Sequence, residues 1–461
     1  MITIDRNLIQ KYNQSGPRYT SYPPANLFNQ NLNDIEYKKI IKDSNNNKPT
    51  HISIYIHIPF CKQLCHFCAC STSVYSNEQL VEKYIIALKK EMEFVFQFID
   101  TKREITQIHF GGGTPNSIKI EYLEQIIIKI KQKFVLSNNA EIAIEANPAY
   151  LDKEYIQNLY KIGFNRISLG IQDFNLEILK IINREKPLIN INELVETIKT
   201  TGFKSINIDL IYGLPQQTIE TFTQNLIKAI ELNPERIVTF SYAHVPWVKP
   251  AQKLLENYKF PSTEEKFIML EKANEILTNN EYDNIGIDHF AKKEDELIIA
   301  KINKQLHRNF QGYCTKTTTG QVYAFGATAI SQLTEAYIQN QKNINKYIKE
   351  VELKNFAFER GYKLVKKEMI TRDVINEIMC NSFLSLNEIA KQHSLSLEKL
   401  IQMINPKIKL LKQMENDGLI RIVNNTDFIV NKNGNYFLRN IAMAFDDQLK
   451  IEHENIYSKT I

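Results

Sequence analysis

Four of the six cysteines in this chain lie within ten residues of one another, directly after a short apolar segment. The stretch Ile52–Ser71 reads ISIYIHIPFCKQLCHFCACS, and Cys61, Cys65 and Cys68 form the spacing C-x3-C-x2-C within it. Three thiolates from one loop can each bind one iron of a cubane 4Fe–4S cluster, which leaves the fourth iron without a protein ligand. An open metal position is typical of catalytic sites, as it is for zinc. Cys70 follows the triad and is not needed as a ligand.

Two other interpretations of these cysteines are a structural zinc site and a redox pair. Structural zinc sites usually use two separated ligand pairs, and the sequence has no second pair. A redox pair formed by Cys65 and Cys68 would leave Cys61 and Cys70 without a role. The spacing therefore favours the cluster and leaves zinc as the main alternative.

Length and composition describe an ordinary globular protein with a buried core. The chain has 461 residues, of which 43% are hydrophobic and 24% charged, so a barrel with appendages would use most of it. The net charge of +5 is mild and does not by itself indicate nucleic acid. The N-terminus lacks the apolar core of a signal peptide, and no apolar run approaches membrane-spanning length. We therefore expect a cytoplasmic protein with reduced thiols and no membrane partner.

From residue 52 onward, strand-like and helix-like segments alternate. Repeated βα units with apolar strands predict a parallel sheet covered by helices, here an incomplete (β/α)6 barrel. The predicted helices include Glu78–Phe98, Tyr122–Phe134, Ile191–Thr200 and Thr218–Leu232. The predicted strands are 52–58, 105–110, 141–146, 166–171, 206–211 and 237–242, with a possible seventh at 283–288.

Polar and glycine-rich residues gather where these predicted strands end, which is where barrel enzymes place their chemistry. Three consecutive glycines at 111–113 would let the backbone approach a ligand closely. The Lys-Ser/Thr of a phosphate loop is missing there, so triphosphate binding is not expected. The segments concerned are the cysteine loop, His109–Pro115, Glu145–Pro148, Gly170–Asp173, Asp209–Pro215 and Tyr242–His244.

The two ends of the chain differ from its centre. Prolines at the end of Gly16–Pro24 disfavour a helix and suggest an extended arm lying on another surface, although a disordered leader fits the composition equally well. From about residue 360 the pattern is helical, with Pro406 expected to break the last helix and Asn433-Gly434 indicating a hairpin turn. We expect an arm over 1–50, a barrel with an extension over 51–360, and a helical, winged-helix-like domain over 361–461. Its elements would be Glu368–Cys380, Leu386–Gln392, Leu397–Met414 and the segment Gly418–Val430.

Several strings resemble the oxygen-independent coproporphyrinogen III oxidases, a family of radical S-adenosylmethionine (SAM) enzymes. The resemblance covers nearly the whole chain, and the arm, the fourth cysteine and the 307–313 string make it specific. The strings are YIHIPFC and CHFCAC in the cysteine loop, GPRYTSYPP at 16–24, HRNFQGY at 307–313 and RNIAM at 439–443.

The resemblance implies a 4Fe–4S cluster held by Cys61, Cys65 and Cys68, and two SAM molecules side by side. Glu145, Gln172 and Asp209 also suit SAM chemically, because it offers ammonium, hydroxyl and amine donors. By resemblance, Tyr55, Gly112, Glu145 and Ile330 line the first SAM, and Phe67, Gly113, Thr114, Gln172, Arg184, Asp209 and Ala243 line the second.

The implied reaction converts two propionates of coproporphyrinogen III to vinyl groups, giving protoporphyrinogen IX. A 5′-deoxyadenosyl radical would take a hydrogen from each propionate β-carbon, and carbon dioxide would leave. The resemblance implies a role in activity for Cys70, and we expect Arg308 and Tyr313 to be catalytic as well. We also expect a monomer that takes electrons from reduced flavodoxin or a similar protein. Because the substrate has four carboxylates, Arg18, Arg184 and Arg308 are candidates to bind them.

The two remaining cysteines, Cys314 and Cys380, lie outside the cysteine loop. Cys314 stands where the family usually has Thr, and Cys380 lies on a helical pattern typical of a core. A related haem chaperone would share the fold, but such proteins typically lack the arm and the fourth cysteine. An RNA-modifying radical enzyme would need a concentrated basic stretch with interleaved aromatics, which is missing. We therefore expect the decarboxylase, with no nucleic-acid partner.

Overall fold

The computed structural model describes residues 5–318, 320–449 and 457–460. Among the described residues, no helix combines the length and the hydropathy needed to cross a bilayer. The strands are β1 Ile52–Ile58, β2 Phe60–Cys61, β3 Ser73–Val74, β4 Ile105–Gly112, β5 Leu136–Ala146, β6 Arg166–Gln172, β7 Ser205–Tyr212, β8 Arg236–Ser241, β9 Tyr282–Gly286, β10 His289–Lys292, β11 Leu306–Asn309, β12 Gly312–Thr315, β13 Gln321–Phe325, β14 Ile330–Gln332, β15 Ala336–Asn340, β16 Phe358–Lys363, β17 Phe383–Ser385, β18 Ile420–Val423 and β19 Asp427–Val430.

The α-helices cover the outer face of the main sheet and build the C-terminal region. They are α1 Arg6–Tyr12, α2 Asp34–Asp43, α3 Glu78–Val95, α4 Ile120–Lys133, α5 Lys153–Ile162, α6 Leu176–Ile181, α7 Ile191–Thr201, α8 Ile219–Glu231, α9 Thr263–Thr278, α10 Glu296–Ile302, α11 Ile344–Lys354, α12 Lys366–Asn381, α13 Leu386–Gln392, α14 Leu397–Ile404, α15 Ile408–Asn416 and α16 Leu438–Met443. Short 3-10 helices span Ala25–Leu27, Ser44–Asn46, Pro115–Ser117, Pro148–Tyr150, Pro250–Asn257 and Asn433–Phe437.

The incomplete barrel is confirmed by six parallel strands, β1, β4, β5, β6, β7 and β8, which are neighbours in that order. All six predicted strands exist, with bounds that differ from the predicted ones by a few residues. Side chains alternate across a strand, so one set packs under the helices. On β1 this buried set is Ile52, Ile54, Ile56 and Ile58.

The sheet continues beyond these six strands at both edges. Next to β1 lies β13, which is also parallel, followed by the antiparallel strands β14, β15 and β16. Next to β8 lie β10 and then β9, both antiparallel. The possible seventh strand at 283–288 therefore exists as β9, but it forms the edge of the sheet and adds no parallel βα unit.

Charged side chains from the first residues of β6 and β8, from β5 and from the start of α10 fill the end of the barrel opposite the cysteine loop. Arg236 donates two hydrogen bonds to Asp295, of 2.7 and 2.9 Å, and one of 3.0 Å to Glu296. Arg166 pairs with Glu141 on the neighbouring strand. These side chains close the barrel at that end with paired charges instead of apolar residues.

The arm packs against the C-terminal region, so residues 5–50 are not a disordered leader. Tyr12, Tyr19 and Tyr22 belong to the same hydrophobic core as helices α12 to α16. The Arg439 guanidinium donates hydrogen bonds to the carbonyls of Gly16 and Pro17. The segment between α1 and α2 contains no α-helix, as expected from its prolines, but the two helices that flank it were not predicted.

The C-terminal region is a small unit of helices and a three-stranded sheet in the order β17–β19–β18. The predicted helix 397–414 is broken before α15, as Pro406 indicated. The predicted hairpin turn at Asn433-Gly434 is wrong, because these residues begin a 3-10 helix. The turn instead contains Asn424 and Asn425, both with positive φ as a tight hairpin turn requires. Gly434 is needed because a Cβ there would collide with the Leu419 carbonyl.

We expect Arg236→Met to lower the free energy of unfolding by about 3 kcal/mol. The reason is that Asp295, whose side chain is only 6% exposed, would lose the guanidinium that donates hydrogen bonds to it and keep the more distant Arg166, at 3.9 Å, as its cationic neighbour. The measurement is denaturant unfolding of the wild type and the variant.

Lys39→Met is the matched control, since Lys39 forms an exposed ion pair with Asp43. That change should cost less than about 1 kcal/mol. Equal losses for the two variants would show that the barrel end does not depend on this pair.

Candidate active site

The cysteine loop begins at the end of β2 and is held at both ends by backbone hydrogen bonds. Cys61 is buried, Cys65 and Cys68 are half-buried, and Cys70 is exposed. The amide of Ser73 donates to the Pro59 carbonyl at 2.8 Å, and that of Tyr75 donates to the Cys61 carbonyl at 2.8 Å. The chain therefore leaves and rejoins the barrel at nearly the same place, with the thiols carried on the loop between.

Each of the three predicted ligand sulfurs accepts a hydrogen bond. Cys61 Sγ accepts one from Thr114 Oγ1 at 3.4 Å, Cys65 Sγ from Arg184 Nη1 at 3.5 Å, and Cys68 Sγ from the Cys70 amide at 3.4 Å. Donors of this kind favour the thiolate form that binds metal.

The donor set fits a cubane cluster. Within the described ranges, no three His, Cys, Asp or Glu side chains converge closely enough to hold a single metal ion. A cubane binds each thiolate through a different iron, so the thiols can surround it without meeting at one point. Three hydrogen-bonded thiols spread along one loop are compatible with that arrangement.

The three thiols differ in acidity. Burial raises the pKa of Cys61 to about 11 and also raises that of Cys65. A hydrogen bond from Cys70, helped by the charges of Lys249 and Arg184, lowers the pKa of Cys68 to about 6. Cys68 is therefore the most acidic of the three thiols, and metal binding would have to displace protons from the other two.

The glycines at 111–113 join the end of β4 to the cysteine loop. The Gly113 amide donates to the Ile58 carbonyl at 2.8 Å, and the Thr114 amide donates to the Phe60 carbonyl at 2.9 Å. Gly112 has φ +118°, which a residue with a side chain rarely adopts. A Cβ at these glycines would lie within 2.6 to 2.7 Å of the Glu145 carboxylate, the His57 ring and the Pro59 carbonyl, respectively.

Glu145 is the anionic centre of a small network beside these glycines. Its carboxylate lies 3.0 Å from His109 Nε2 and accepts a hydrogen bond of 3.2 Å from the Gly112 amide. Burial opposes its ionisation, but His109 and the Gly112 amide outweigh burial and lower its pKa. The Tyr55 ring stacks on His109, and its hydroxyl lies 3.1 Å from His57 Nδ1. Glu145 is therefore ionised at neutral pH and suited to a cationic ligand group.

Gln172 and Arg184 lie side by side next to Cys65. Gln172 has φ +70° after a register shift at the end of β6. Arg184 donates to the Gly170 carbonyl as well as to the Cys65 sulfur, so its guanidinium is used within the loop region. A Cβ on Gly170 would meet both the Gln172 amide and the Arg184 guanidinium.

Phe67 and Ala243 are brought together by Gln252, which the sequence did not indicate. Gln252 Nε2 donates to the Phe67 carbonyl at 3.0 Å and to the Ala243 carbonyl at 3.2 Å. Just before the 3-10 helix that contains Gln252, Lys249 Nζ donates to the Cys70 carbonyl at 2.6 Å. The segment after β8 therefore holds the second half of the cysteine loop.

A cavity of about 150 Å³, partly open to solvent and lined by many polar side chains, lies inside the barrel. Asp209 lines it together with Glu145 and accepts hydrogen bonds from Ser168 Oγ at 2.9 Å and Asn207 Nδ2 at 2.7 Å. Burial raises the pKa of Asp209 to about 6, although these hydrogen bonds oppose the shift. Two carboxylates with pKa values moved in opposite directions face one cavity. Other polar lining residues are Gln107, His109, Glu141, Arg166, Arg236, His289, Asn309 and Gln311.

Tyr313 lines this cavity, but its hydroxyl donates to the Met379 carbonyl at 3.1 Å. The Arg308 guanidinium lies over the Tyr313 ring, 5.3 Å from its centre. Arg308 also donates to the Arg18 carbonyl at 2.7 Å, which ties it to the arm. Tyr313 therefore offers its ring to the cavity while its hydroxyl is used in packing.

Ile330 stands apart from the other predicted SAM contacts. It lies on β14, which is separated from the strand of Tyr55 by β13. Of the remaining cysteines, Cys314 is buried on β12 and donates to the His307 carbonyl, while Cys380 is buried on α12 as expected for a core residue.

His57, Ser168 and Asn207 are polar residues of the site region that the sequence did not indicate. They occupy every second position of their strands, as in Tyr55 and His57 on β1 or Asn207 and Asp209 on β7. Alternate positions face the inside of a barrel. Period-two polarity within otherwise apolar strands was therefore the signal that would have found them.

Comparison with known proteins places this architecture in a family. Residues 55–226 match the model of the radical SAM superfamily. The chain is 39% identical to the oxygen-independent coproporphyrinogen III oxidase of Synechocystis over 100% of this chain and 98% of that protein. It is 38% identical to the Helicobacter pylori protein of the same name over 100% of both chains.

A solved structure gives the same result. Coproporphyrinogen III oxidase from Escherichia coli, described as a radical SAM enzyme, superposes with a TM-score of 0.90 at 35% identity. The match covers 97% of this chain and 100% of that one. The chain thus belongs to the oxygen-independent coproporphyrinogen III oxidases, a family of the radical SAM superfamily.

Proposed function

We propose that this protein catalyses the oxygen-independent oxidative decarboxylation of coproporphyrinogen III. Two propionates become vinyl groups, and the product is protoporphyrinogen IX. The observation that carries the proposal is a loop of three hydrogen-bonded thiols joined, through Gly111–Thr114 and Glu145, to a polar cavity inside a half-barrel. The full-length likeness to relatives of that name supports the choice of substrate.

The family's cofactors are a 4Fe–4S cluster and SAM. Cys61, Cys65 and Cys68 would hold the cluster, and Cys70, whose amide donates to Cys68, stays a non-ligand. When bound, the reduced cluster and SAM supply the radical that removes a hydrogen atom from the substrate. The protein's part is to bind, orient and shield these groups.

Two SAM molecules per site remain part of the proposal. Ionised Glu145 would accept hydrogen bonds from the ammonium or ribose of the first, near Tyr55 and Gly112, with Ile330 as a further contact. The residues assigned to the second surround the other half of the cysteine loop and the cavity, where Asp209 offers acceptors. They are Phe67, Gly113, Thr114, Gln172, Arg184, Asp209 and Ala243.

Further proposals concern residue roles, the electron donor, the oligomeric state, the cellular location and the domain division. We assign catalytic roles to Cys70, Arg308 and Tyr313, with Tyr313 acting through its ring. We also propose reduced flavodoxin or a similar protein as electron donor, a monomeric state and a cytoplasmic location. The division into an arm at 1–50, a barrel at 51–360 and a helical domain at 361–461 is likewise our proposal.

The test is an anaerobic assay of the reconstituted, reduced protein with SAM and coproporphyrinogen III. We expect stepwise loss of two carboxyl groups by mass, with 5′-deoxyadenosine formed at each step. A protein that assembles its cluster and binds haem stoichiometrically, yet yields no decarboxylated product, would contradict the proposal and indicate a chaperone.

Asp209→Asn should weaken SAM binding and remove its pH dependence near pH 6. In the wild type, SAM affinity should fall as the pH drops through about 6, because protonation of Asp209 removes acceptor capacity. The measurement is anaerobic equilibrium dialysis between pH 5 and 8.

Stability provides the control for this variant. The folded-state pKa of Asp209 lies above its ordinary value, so its ionisation destabilises the fold as the pH rises through about 6. Asp209→Asn should therefore be no less stable than the wild type at pH 7. An unchanged pH profile of SAM affinity in the variant would remove Asp209 from the binding site.

A further inference from the structure

Four cationic side chains from four separate parts of the chain meet where the arm crosses the barrel. They are Arg18 on the arm, Lys266 on α9, Arg308 on β11 and Arg439 on α16. Arg308 Nη1 donates to the Arg18 carbonyl at 2.7 Å. Arg439 Nε donates to the Pro17 carbonyl at 3.1 Å. Arg439 and Arg308 thus donate hydrogen bonds to the backbone carbonyls directly before and after the Arg18 side chain.

No carboxylate of the described residues lies within ion-pair distance of these cations. The hydrogen bonds described for Lys266, Arg308 and Arg439 end on backbone carbonyls, including 3.1 Å from Lys266 Nζ to Tyr242. In the described part of the chain, none of the four cations forms an ion pair. Arg308 is 9% exposed, and its Nε is buried without a hydrogen-bond partner among the described residues.

The positive charges of these four side chains repel one another. Burial, together with the positive charges of Arg18 and Arg308, lowers the pKa of Arg439 to about 9. Burial and the charge of Arg18 lower the pKa of Lys266 to about 8. Burial opposes the ionisation of Asp288, but His289, together with the charges of Arg308 and Arg18, lowers its pKa, and the carboxylate lies 2.7 Å from His289 Nδ1. This carboxylate offsets part of the positive charge of the group. Partly buried cations without counter-ions are costly, so the arrangement is suited to an anion supplied from outside.

The group adjoins the cavity that holds Glu145 and Asp209. The Arg308 guanidinium lies over the ring of Tyr313, and Tyr313 lines that cavity. The Tyr313 ring is thus the contact between the cation group and the cavity, and a ligand that extends past this ring would bring a carboxylate to the cations. Arg184 does not belong to this group, because it lies beside Cys65 at the cysteine loop.

We propose that Arg18, Lys266, Arg308 and Arg439 form a carboxylate-binding cluster that holds a propionate of the substrate. The proposal rests on the proposed function, which supplies a substrate with four carboxylates. Guanidinium groups bind carboxylates with two parallel hydrogen bonds, and the Lys266 ammonium adds a point charge. Lys266 and Arg439 are new candidates for this role, and Arg184 is not part of the cluster.

The test compares Lys266→Met and Arg308→Met with the wild type. Anaerobic equilibrium dialysis with coproporphyrinogen III should show a dissociation constant raised roughly 10- to 100-fold in each variant. Cluster content and SAM affinity should stay unchanged. Lys266→Arg should bind nearly as the wild type does, and Lys412→Met, an exposed lysine on α15, is the matched control.

A second ligand separates charge recognition from general packing. The wild type should bind coproporphyrinogen III far more tightly than its tetramethyl ester, and this preference should shrink in both Met variants. If Arg308→Met fails to fold because it loosens the arm, Lys266→Met carries the test. Unchanged affinity and unchanged ester discrimination in Lys266→Met, with a wild type that converts the substrate, would overturn this cluster alone. A wild type that neither binds nor converts the substrate would overturn the proposed function.

Discussion

The site depends on the pairing of the segment 58–60 with Gly113 and Thr114. Two backbone hydrogen bonds, of 2.8 and 2.9 Å, join the end of β4 to the start of the cysteine loop, and the Thr114 hydroxyl donates to the Cys61 sulfur. This approach is possible only because residue 113 lacks a Cβ, which would lie 2.6 Å from the Pro59 carbonyl. The same glycine segment contacts Glu145 and His57. This junction therefore fixes the position of Cys61 relative to the network around Glu145.

The local sequence pattern was enough to predict the parallel half-barrel but not the strands that extend the sheet beyond β1. The six βα units have strong apolar strands, and Pro406 marked a helix break correctly. The pairing of β13 with β1 joins residues such as Ile52 and Gln321, far apart in sequence, and no local pattern encodes it. The turn at Asn433-Gly434 was misread because Gly434 serves close packing instead of a positive φ. The correct turn residues, Asn424 and Asn425, are also a recognisable signal.

The sequence predicted the motifs of the candidate site but not the residues that hold these motifs in place. Cys61, Glu145 and Asp209 stand in conspicuous strings at strand ends. His57, Ser168 and Asn207 were hidden inside apolar strands, where only a period of two reveals them. Gln252, Lys266 and Arg439 come from segments distant in sequence and reach the site through tertiary packing. The arm shows the same limit, since its prolines excluded a helix but its contact with Arg439 required the fold.

The central claim is that three cysteines bind the cluster and leave one iron open to SAM. The direct measurement is electron paramagnetic resonance of the anaerobically reconstituted, reduced protein with and without SAM, together with its iron content. The wild type and Cys70→Ala should both show a cubane cluster whose spectrum changes when SAM is added. Cys61→Ala, Cys65→Ala and Cys68→Ala should each lose it. Loss of the cluster in Cys70→Ala, or a wild-type spectrum that SAM does not alter, would contradict the account.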